Sequence, residues 1–317
     1  MAKKRAFVAP VAGGNAAALI RNALALALQA NIPTMLVSEP GCAKTDVIHQ
    51  LCQQIGGEVE PCVTSYGSVH DSVDYSGLPV PCNGEVSLVP ILQEFKMLLQ
   101  AGQGTFFADE YSCAPPAVQA AQMRLIREGK IGNIAWSPKV RRVAAMNPPE
   151  IATNGTELAA PTANRFFHLA WQTDEDDWIR GVWDNFETAP PILRLPENWR
   201  ESELTRAKGQ IVGFIRFRKT LLHQMPKTET ERAGAWPSRR SWYEFALPLL
   251  TACMAVQAGE DLERLCLGGS VGEGAAIEFF AWRTEADLPS TETIMEWLKK
   301  PSLMKLPERG DRQYAIL

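Results

Sequence analysis

The residues with the clearest chemical pattern lie between Ser38 and Thr45, in the run SEPGCAKT. A lysine and a hydroxyl residue that follow a turn of small residues match the pattern G-x-x-x-x-G-K-[ST] in part. In that pattern, the N–H groups of the turn and the positive end of the next helix dipole bind phosphate. Lys44 can reach the outer phosphates, and Thr45 supplies a hydroxyl of the kind that coordinates Mg²⁺. The run therefore predicts a phosphate site.

Two positions depart from the pattern, because Ser38 replaces its first glycine and Ala43 its last. Gly41 is the one glycine of the turn. Ala43 places a methyl group beside the phosphates, which we expect to be tolerated with a negative φ at this residue. An ordinary strand–turn–helix with a surface lysine is the alternative interpretation.

Two carboxylates, Asp109 and Glu110, follow the apolar run GTFFA. In a parallel sheet, the carboxyl ends of the strands face the crevice in which ligands bind. There Asp109 can hold Mg²⁺ through its water shell, and Glu110 can orient and polarise an attacking water. Taken alone, the pattern is also typical of a strand that ends in a solvated turn. Together with Lys44 and Thr45, it indicates a hydrolytic site.

Other polar residues stand at the ends of predicted elements. Asn147 follows the predicted strand 140–145 and precedes two prolines, so its amide could bind a γ-phosphate or the attacking water. A turn-forming asparagine is the alternative. Arg165 precedes the last predicted strand. Arg239 and Arg240 open a predicted helix, where cations oppose the helix dipole, which suggests an anionic partner; two solvated arginines are the alternative.

Hydrophobic periodicity predicts the elements that position these side chains. We expect an α/β domain over residues 1–172 and a helical domain over 173–317. Asn15 is the expected cap of the first helix. The expected strands cover 34–37, 58–64, 104–108, 140–145 and 167–171, with a hairpin around Asn83-Gly84 and a loop or short hairpin over 132–138. The expected later helices cover 175–184, about 202–223, 240–257, 272–284 and 291–299. The glycines of 268–274 are expected to form a turn between helices.

Composition excludes several classes of protein. The 317 residues carry a formal net charge of −4, and the pI is about 5.7, which argues against general affinity for nucleic acid. No apolar run approaches the roughly 20 residues that a membrane span needs, and the first residues lack the apolar core of a secretory signal. Seven scattered cysteines without C-x-x-C pairs suit reduced thiols, so we expect a cytoplasmic protein.

The order of these motifs resembles that of the AAA+ ATPases, and within them the MoxR-like branch, over nearly the whole chain. SEPGCAKT is similar to Walker A, FFADE to Walker B, AAMNPPE to the sensor 1 strand, ANRF to the arginine-finger segment and PSRRSW to sensor 2. SGLPVPCNGEVSLVP falls where the branch carries its helix 2 insert, and GKIGNIAWSPKV falls where it carries a hairpin. The resemblance implies a five-stranded parallel sheet of the P-loop NTPase type with a C-terminal all-α lid.

The resemblance also implies roles for particular residues. Thr45 and Asp109 hold Mg²⁺. The ATP-binding set is Pro40, Gly41, Cys42, Ala43, Lys44, Thr45, Asp46 and Arg239. Among catalytic residues, Glu110 activates water and Asn147 positions it. Arg165 reaches the nucleotide of the adjacent subunit, and Arg240 aligns better than Arg239 with the family's lid arginine.

Three hypotheses follow from this resemblance. The first is an ATP-driven ring, usually a hexamer, that remodels or activates a client protein in the manner of a chaperone, often with a von Willebrand factor A domain partner. The second is a nucleotide-gated binding module with little turnover, which the departures at Ser38 and Ala43 motivate. The third is a DNA-linked motor subunit, against which the acidic pI weighs.

Overall fold

The computed structural model describes residues 16–58, 60–148, 150–151, 157–172 and 175–285, with a few positions between 293 and 303. The first half alternates helices and strands. Its elements are α1 (Ala16–Gln29), β1 (Thr34–Val37), α2 (Lys44–Gly56), β2 (Cys62–Tyr66), α3 (Ser72–Ser76), β3 (Leu78–Cys82), β4 (Glu85–Val89), α4 (Gln93–Ala101), β5 (Gly104–Asp109), α5 (Pro116–Glu128), β6 (Lys130–Ile131), β7 (Ile134–Ala135), β8 (Val140–Met146), α6 (Ala160–Ala163) and β9 (Phe167–Ala170).

Five of these strands form one parallel sheet in the order β2-β5-β8-β1-β9. β1 and β5 are buried along their whole length, as expected for parallel strands that helices cover on both faces. The predicted five-stranded parallel sheet is confirmed. The register places Val37 beside Met146 and Ala108 beside Ala144, so β1, β5 and β8 end at the same edge.

Two hairpins interrupt the alternation. β3 and β4 pair in antiparallel fashion around Asn83 and Gly84, whose φ values of 51° and 82° are those of a type I′ turn. β6 and β7 form a short hairpin over 130–135, which overlaps the loop or short hairpin expected over 132–138. The second strand of the large sheet, however, was predicted to begin at Glu58 and begins at Cys62. Gly57 ends α2 with a φ of 69°, so the chain first turns back towards the sheet.

The second half is helical, as predicted. It contains α7 (Glu175–Trp183), α8 (Trp199–Phe217), α9 (Glu229–Arg232), a π-helical segment (Ser241–Ala246), α10 (Leu247–Ala255), α11 (Glu260–Val271) and α12 (Glu273–Glu285). The helix expected over 240–257 therefore begins as a π-helix, and α8 ends before 223 in a short 3₁₀ turn. None of the described helices combines the length and the hydropathy that crossing a bilayer requires. Asn15, and most of the helix expected over 291–299, lie outside the described residues.

The turn between helices expected over 268–274 is present but is confined to one residue. Gly268 and Gly269 lie inside α11, and Gly272 alone turns the chain, with a φ of 86°. A Cβ built on Gly269 would overlap the backbone oxygen of His168 in β9. Glycine at this position therefore lets α11 pack directly on the edge strand. The positions of the glycines in the sequence do not predict this contact.

One hydrophobic cluster connects the two halves. It contains Leu24 of α1, Phe167 of β9, Leu249 of α10 and Cys266 of α11, all of them buried. The helices beyond residue 172 thus share a core with α1 and the edge of the sheet. A second cluster fills the other face of the sheet, and a third lies within the helical half.

Candidate functional site

The edge where β1, β5 and β8 end brings together the polar residues that follow these strands. β8 lies between β5 and β1, so Asn147 stands between Asp109 on one side and Ser38 on the other. The backbone N–H of Ser38 donates to the oxygen of Met146 at 3.2 Å, which extends the ladder by one residue. The topology of the sheet therefore builds a site from segments that are far apart in the chain.

Lys44 is surrounded by neutral oxygen atoms. Its Nζ donates to Oδ1 of Asn147 at 2.6 Å, to the oxygen and Oγ of Ser38 at 3.2 and 3.1 Å, and to the oxygen of Glu39 at 3.1 Å. Burial lowers the pKa of Lys44, and the negative charge of Asp109 opposes that shift. Among the described residues, Lys44 forms no ion pair, so its charge is available for an anionic ligand.

Thr45 and Asp109 form a pair of oxygen ligands next to Lys44. Oγ1 of Thr45 donates to Oδ2 of Asp109 at 2.8 Å, while the N–H of Glu110 donates to Oδ1 at 2.8 Å. Hydroxyl and carboxylate oxygens are the ligands that Mg²⁺ prefers. The described residues contain no group of three or more His, Cys, Asp or Glu side chains that could hold a metal alone. The pair therefore fits Mg²⁺ that keeps waters and phosphate oxygens as its other ligands.

Glu110 directly follows β5 in a strained backbone conformation. Its φ of 52° lies in the left-handed region, which few residues other than glycine adopt. Its Oε2 accepts a hydrogen bond from Oγ of Ser68 at 3.3 Å, a contact that links it to the segment after β2. Strain of this kind concentrates at functional sites, because the surrounding structure must hold it in place.

The turn between β1 and α2 corrects one expectation. Ala43 was expected to keep a negative φ, but its φ is 53° and its ψ is 33°. The turn needs a left-handed residue here, which explains why the general pattern has glycine at this position. Gly41 also has a positive φ, of 78°, and a Cβ there would meet no atom within 4 Å. Pro40, Gly41 and Ala43 are exposed, so the turn is open to a ligand.

Trp171 is a part of the site that the sequence did not reveal. Its Nε1 donates to the backbone oxygen of Cys42 at 2.8 Å, and the side chain is buried just after β9. The indole thus fixes the middle of the turn from the edge strand. Ser38 departs from the pattern, but its hydroxyl contacts Lys44 and so belongs to the site. No signal in the sequence links positions 42 and 171.

A cavity of about 1380 Å³ opens beside the turn. Gly41, Ala43 and Asp46 line it from the turn and α2, with Ala17 from α1 and Trp171 from the sheet edge. Segment 178–191 contributes further lining residues. The cavity is large enough for the base and sugar of a nucleotide whose phosphates lie on the turn.

Arg165 lies near two other arginines, Arg240 and Arg127. Burial, followed by the positive charges of Arg240 and Arg127, lowers the pKa of Arg165, and Arg165 donates from Nη1 to the oxygen of Pro161 at 2.9 Å. Nε of Arg165 is buried without a partner among the described residues. Arg240 lies 3.8 Å from Glu244, and Arg239 is exposed. The acids whose charges act on Lys44 are Asp109 and Glu110.

Comparison with solved structures shows the fold. The chain is similar to a candidate ATPase from Cytophaga hutchinsonii ATCC 33406, with a TM-score of 0.51 and 14% identity over 88% of this chain and 87% of that one. It also matches an MCM homolog from Methanopyrus kandleri, with a TM-score of 0.44 and 14% identity over 82% of this chain and 57% of that one. No protein-family model matches the chain, and no curated protein is significantly similar to it. The five-stranded parallel sheet with C-terminal helices agrees with the predicted fold class.

Proposed function

We propose that this chain is an AAA+ ATPase that binds ATP with Mg²⁺ at the edge formed by β1, β5 and β8. The observation that carries the proposal is the side-by-side arrangement of two hydrogen-bonded pairs, Lys44 with Asn147 and Thr45 with Asp109. Lys44, which forms no direct ion pair with the described residues, and a pair of hard oxygen atoms lie next to the open N-terminus of α2. This combination suits a triphosphate with its metal.

Each residue of the edge has a role in this proposal. The turn from Pro40 to Thr45 binds the phosphates, and Lys44 exchanges its bonds to Ser38 and Asn147 for phosphate oxygens. Mg²⁺, held by Thr45 and Asp109, would neutralise charge on the β- and γ-phosphates. Glu110 orients and polarises the attacking water, and the amide of Asn147 positions it. The cavity lined by Asp46 and Trp171 takes the base and sugar.

Arg165 and Arg240 are proposed to act on the nucleotide of a neighbouring subunit. They lie close enough for the charge of Arg240 to lower the pKa of Arg165, and an anion from a neighbouring subunit would balance the two like charges. An arginine supplied in this way can raise the rate of hydrolysis by on the order of 10³–10⁵. Activity would then depend on a ring, which we propose to be a hexamer. The exposed Arg239 is a weaker candidate for a nucleotide contact.

We further propose a MoxR-type role, in which the ring remodels or activates a client protein together with a partner that carries a von Willebrand factor A domain. The support is the β3–β4 hairpin, which projects Leu78, Val86 and Val89 into solvent at the position of the family's insert. Exposed apolar side chains on a projecting hairpin suit contact with another protein. The net charge of −4 weighs against a DNA-linked motor.

A nucleotide-gated module with little turnover is the second candidate function. The left-handed Ala43 places a methyl group on a turn that would otherwise carry glycine, and the four hydrogen bonds of Lys44 must be exchanged when phosphate binds. Both features would weaken nucleotide binding.

Substitution of Glu110 by Gln tests the proposal and separates the two candidates. We expect Glu110→Gln to bind ATP with the parental affinity and to lose turnover by about 100-fold or more, because the general base is removed. Glu128→Gln is the control, since Glu128 lies on α5 and pairs with Arg124. Turnover at the parental rate in Glu110→Gln would exclude Glu110 as the base. Parental protein that binds ATP but releases no phosphate would favour the module, and absence of ATP binding would exclude both.

A further inference from the structure

A buried polar chain joins the segment before β9 to the segment that opens the π-helix. Oδ1 of Asn164 accepts a hydrogen bond from Oγ of Ser238 at 2.7 Å, and its Nδ2 donates to the backbone oxygen of Trp236 at 3.3 Å. Ser241 completes the chain, because its Oγ donates to the same oxygen of Trp236 at 3.0 Å and accepts from the N–H of Ser238 at 2.8 Å. Both hydrogen-bonding groups of the Asn164 amide are therefore used.

These bonds form out of contact with water. Asn164, Ser238 and Ser241 are 6%, 3% and 1% exposed. In a buried polar network each bond depends on the geometry of the others, and loss of one partner leaves a donor or acceptor unsatisfied. The network therefore fixes the two segments in one relative position, although 74 residues separate Asn164 from Ser238.

The position of this network relates it to the arginines. Asn164 directly precedes Arg165, and Ser238 stands two residues before Arg240. The two guanidinium groups lie close enough for the charge of Arg240 to lower the pKa of Arg165. The two positive charges repel each other. Hydrogen bonds between uncharged groups nearby can therefore be expected to hold the two segments together. A π-helical segment follows Arg240 at once, and such segments are frequent at functional sites.

We propose that Asn164 is a positioning residue that holds Arg165 and Arg240 as one unit, directed at the nucleotide of the neighbouring subunit. The inference rests on the proposed ATPase function. In this arrangement the amide of Asn164 touches neither nucleotide nor metal. It acts by keeping the segment of Arg165 and the segment of Arg240 in register.

Mixed assemblies of variant subunits test the inference. Subunits with Glu110→Gln cannot activate water but still present their arginines, so they serve as donors. Subunits with Arg165→Ala have an intact site but lack the arginine that a neighbour needs, so they serve as acceptors. In equimolar mixtures, turnover arises where a donor faces an acceptor. Asn164→Ala is then added to the donor in one experiment and to the acceptor in another.

We expect Asn164→Ala to lower turnover by about tenfold or more when the donor carries it, because small misplacements of catalytic groups have large effects on rate. In the acceptor we expect a change of less than about twofold, because its own nucleotide site does not use the network. A loss of general stability would affect both mixtures equally, and that result would overturn the inference. Loss only in the acceptor would also overturn it, because Arg240 would then act on its own subunit's nucleotide.

Two further variants keep the test decisive. Ser238→Ala removes the bond to Oδ1 of Asn164 and is used in the same two mixtures if Asn164→Ala does not fold. Ser270→Ala in the donor is the control, because Ser270 is equally buried but its Oγ bonds to the oxygen of Cys266 within α11. Ser270→Ala should leave turnover unchanged. A loss of turnover equal to that caused by Asn164→Ala would overturn the inference.

The outcome for the proposed function is distinguishable from this result. If the parental protein hydrolyses ATP but the unmodified donor and acceptor subunits do not complement each other, the ATPase function stands and the inference fails. If the parental protein does not hydrolyse ATP, the proposed function fails, and the inference fails with it.

Discussion

At the scale of single residues, the site holds two residues in backbone conformations that glycine adopts more easily. Ala43 precedes Lys44 with a φ of 53°, and Glu110 follows Asp109 with a φ of 52°. A left-handed conformation costs a residue with a Cβ roughly 1–2 kcal/mol. Both residues directly adjoin groups that the proposal assigns to ATP and Mg²⁺, so the strain is concentrated where geometry matters most for the chemistry.

Substitution of Ala43 by Gly should raise the free energy of unfolding by about 0.5–1 kcal/mol. Glycine relieves the left-handed strain, although the greater freedom of the unfolded chain offsets part of that gain. Denaturant titration measures the effect. Ala120→Gly is the control, since Ala120 lies exposed within α5 and the same change there should lower stability by about 1 kcal/mol. A loss of stability in Ala43→Gly would contradict the strain argument.

His168 gives the protein a specific dependence on pH. Burial lowers its pKa from 6.5 to about 4, and its Nε2 is bonded to the oxygen of Ala163 at 2.8 Å. Between pH 6.5 and about 4 the unfolded chain binds a proton at this residue and the folded protein does not. Acidification through this range should therefore reduce stability by about 3 kcal/mol in total.

His168→Gln, which can keep a donor to Ala163, should remove this component and flatten stability against pH in that range. Denaturant titrations at pH 7 and pH 4.5 on both proteins measure the difference. If the free energy of unfolding changed equally between pH 7 and pH 4.5 in parent and variant, the depressed pKa of His168 would be contradicted.

At the scale of elements, α11 is positioned by its close approach to β9. Gly269 faces the backbone of His168 and the ring of Phe167, whereas Gly268, its neighbour in the same helix, has no atom within 4 Å of a Cβ. Two neighbouring glycines of α11 therefore differ in their role. One glycine is needed for contact between two elements, and the other is not.

Gly269→Ala should lower the free energy of unfolding by about 3 kcal/mol or more, because the new Cβ overlaps backbone that cannot move cheaply. Gly268→Ala should raise it by about 0.5–1 kcal/mol, as expected for glycine replaced by alanine within a helix. Thermal or denaturant unfolding of the two variants provides the comparison. Similar effects for both would contradict the packing of α11 on β9.

The elements also show which features sequence can predict. The strand that ends at Asp109 and the strand that precedes Asn147 were predictable, because each has a run of apolar residues directly before a polar residue. The φ of Ala43, the bond from Trp171 to Cys42 and the bond from Ser238 to Asn164 were not. Each depends on residues distant in the chain that packing brings together, and periodicity carries no record of such pairs. The roles assigned to the site residues remain predictions.

At the scale of the whole molecule, the shared core qualifies the domain division expected near residue 172. Leu24, Phe167, Leu249 and Cys266 belong to one cluster that crosses this position. If a flexible linker alone joined a helical lid to the sheet, the apolar residues of the lid would pack only against one another. Burial of apolar surface between the halves makes each dependent on the other for its stability.

The two halves should therefore unfold together. We expect a single denaturant transition, with coincident midpoints for far-UV circular dichroism, which reports mainly on helices, and for tryptophan fluorescence. Leu249→Ala, in α10, should lower the stability seen by both probes by about 2–5 kcal/mol, because it leaves a cavity in the shared core. Two separate midpoints, or an effect on one probe alone, would show that the halves are independent.

The packing of Gly269 on the edge strand has a consequence for how the proposed ring could move. A subunit whose helices adhere to its own sheet has little freedom to open and close around ATP. In the proposed ring, hydrolysis would then change the angle between whole subunits at their junctions.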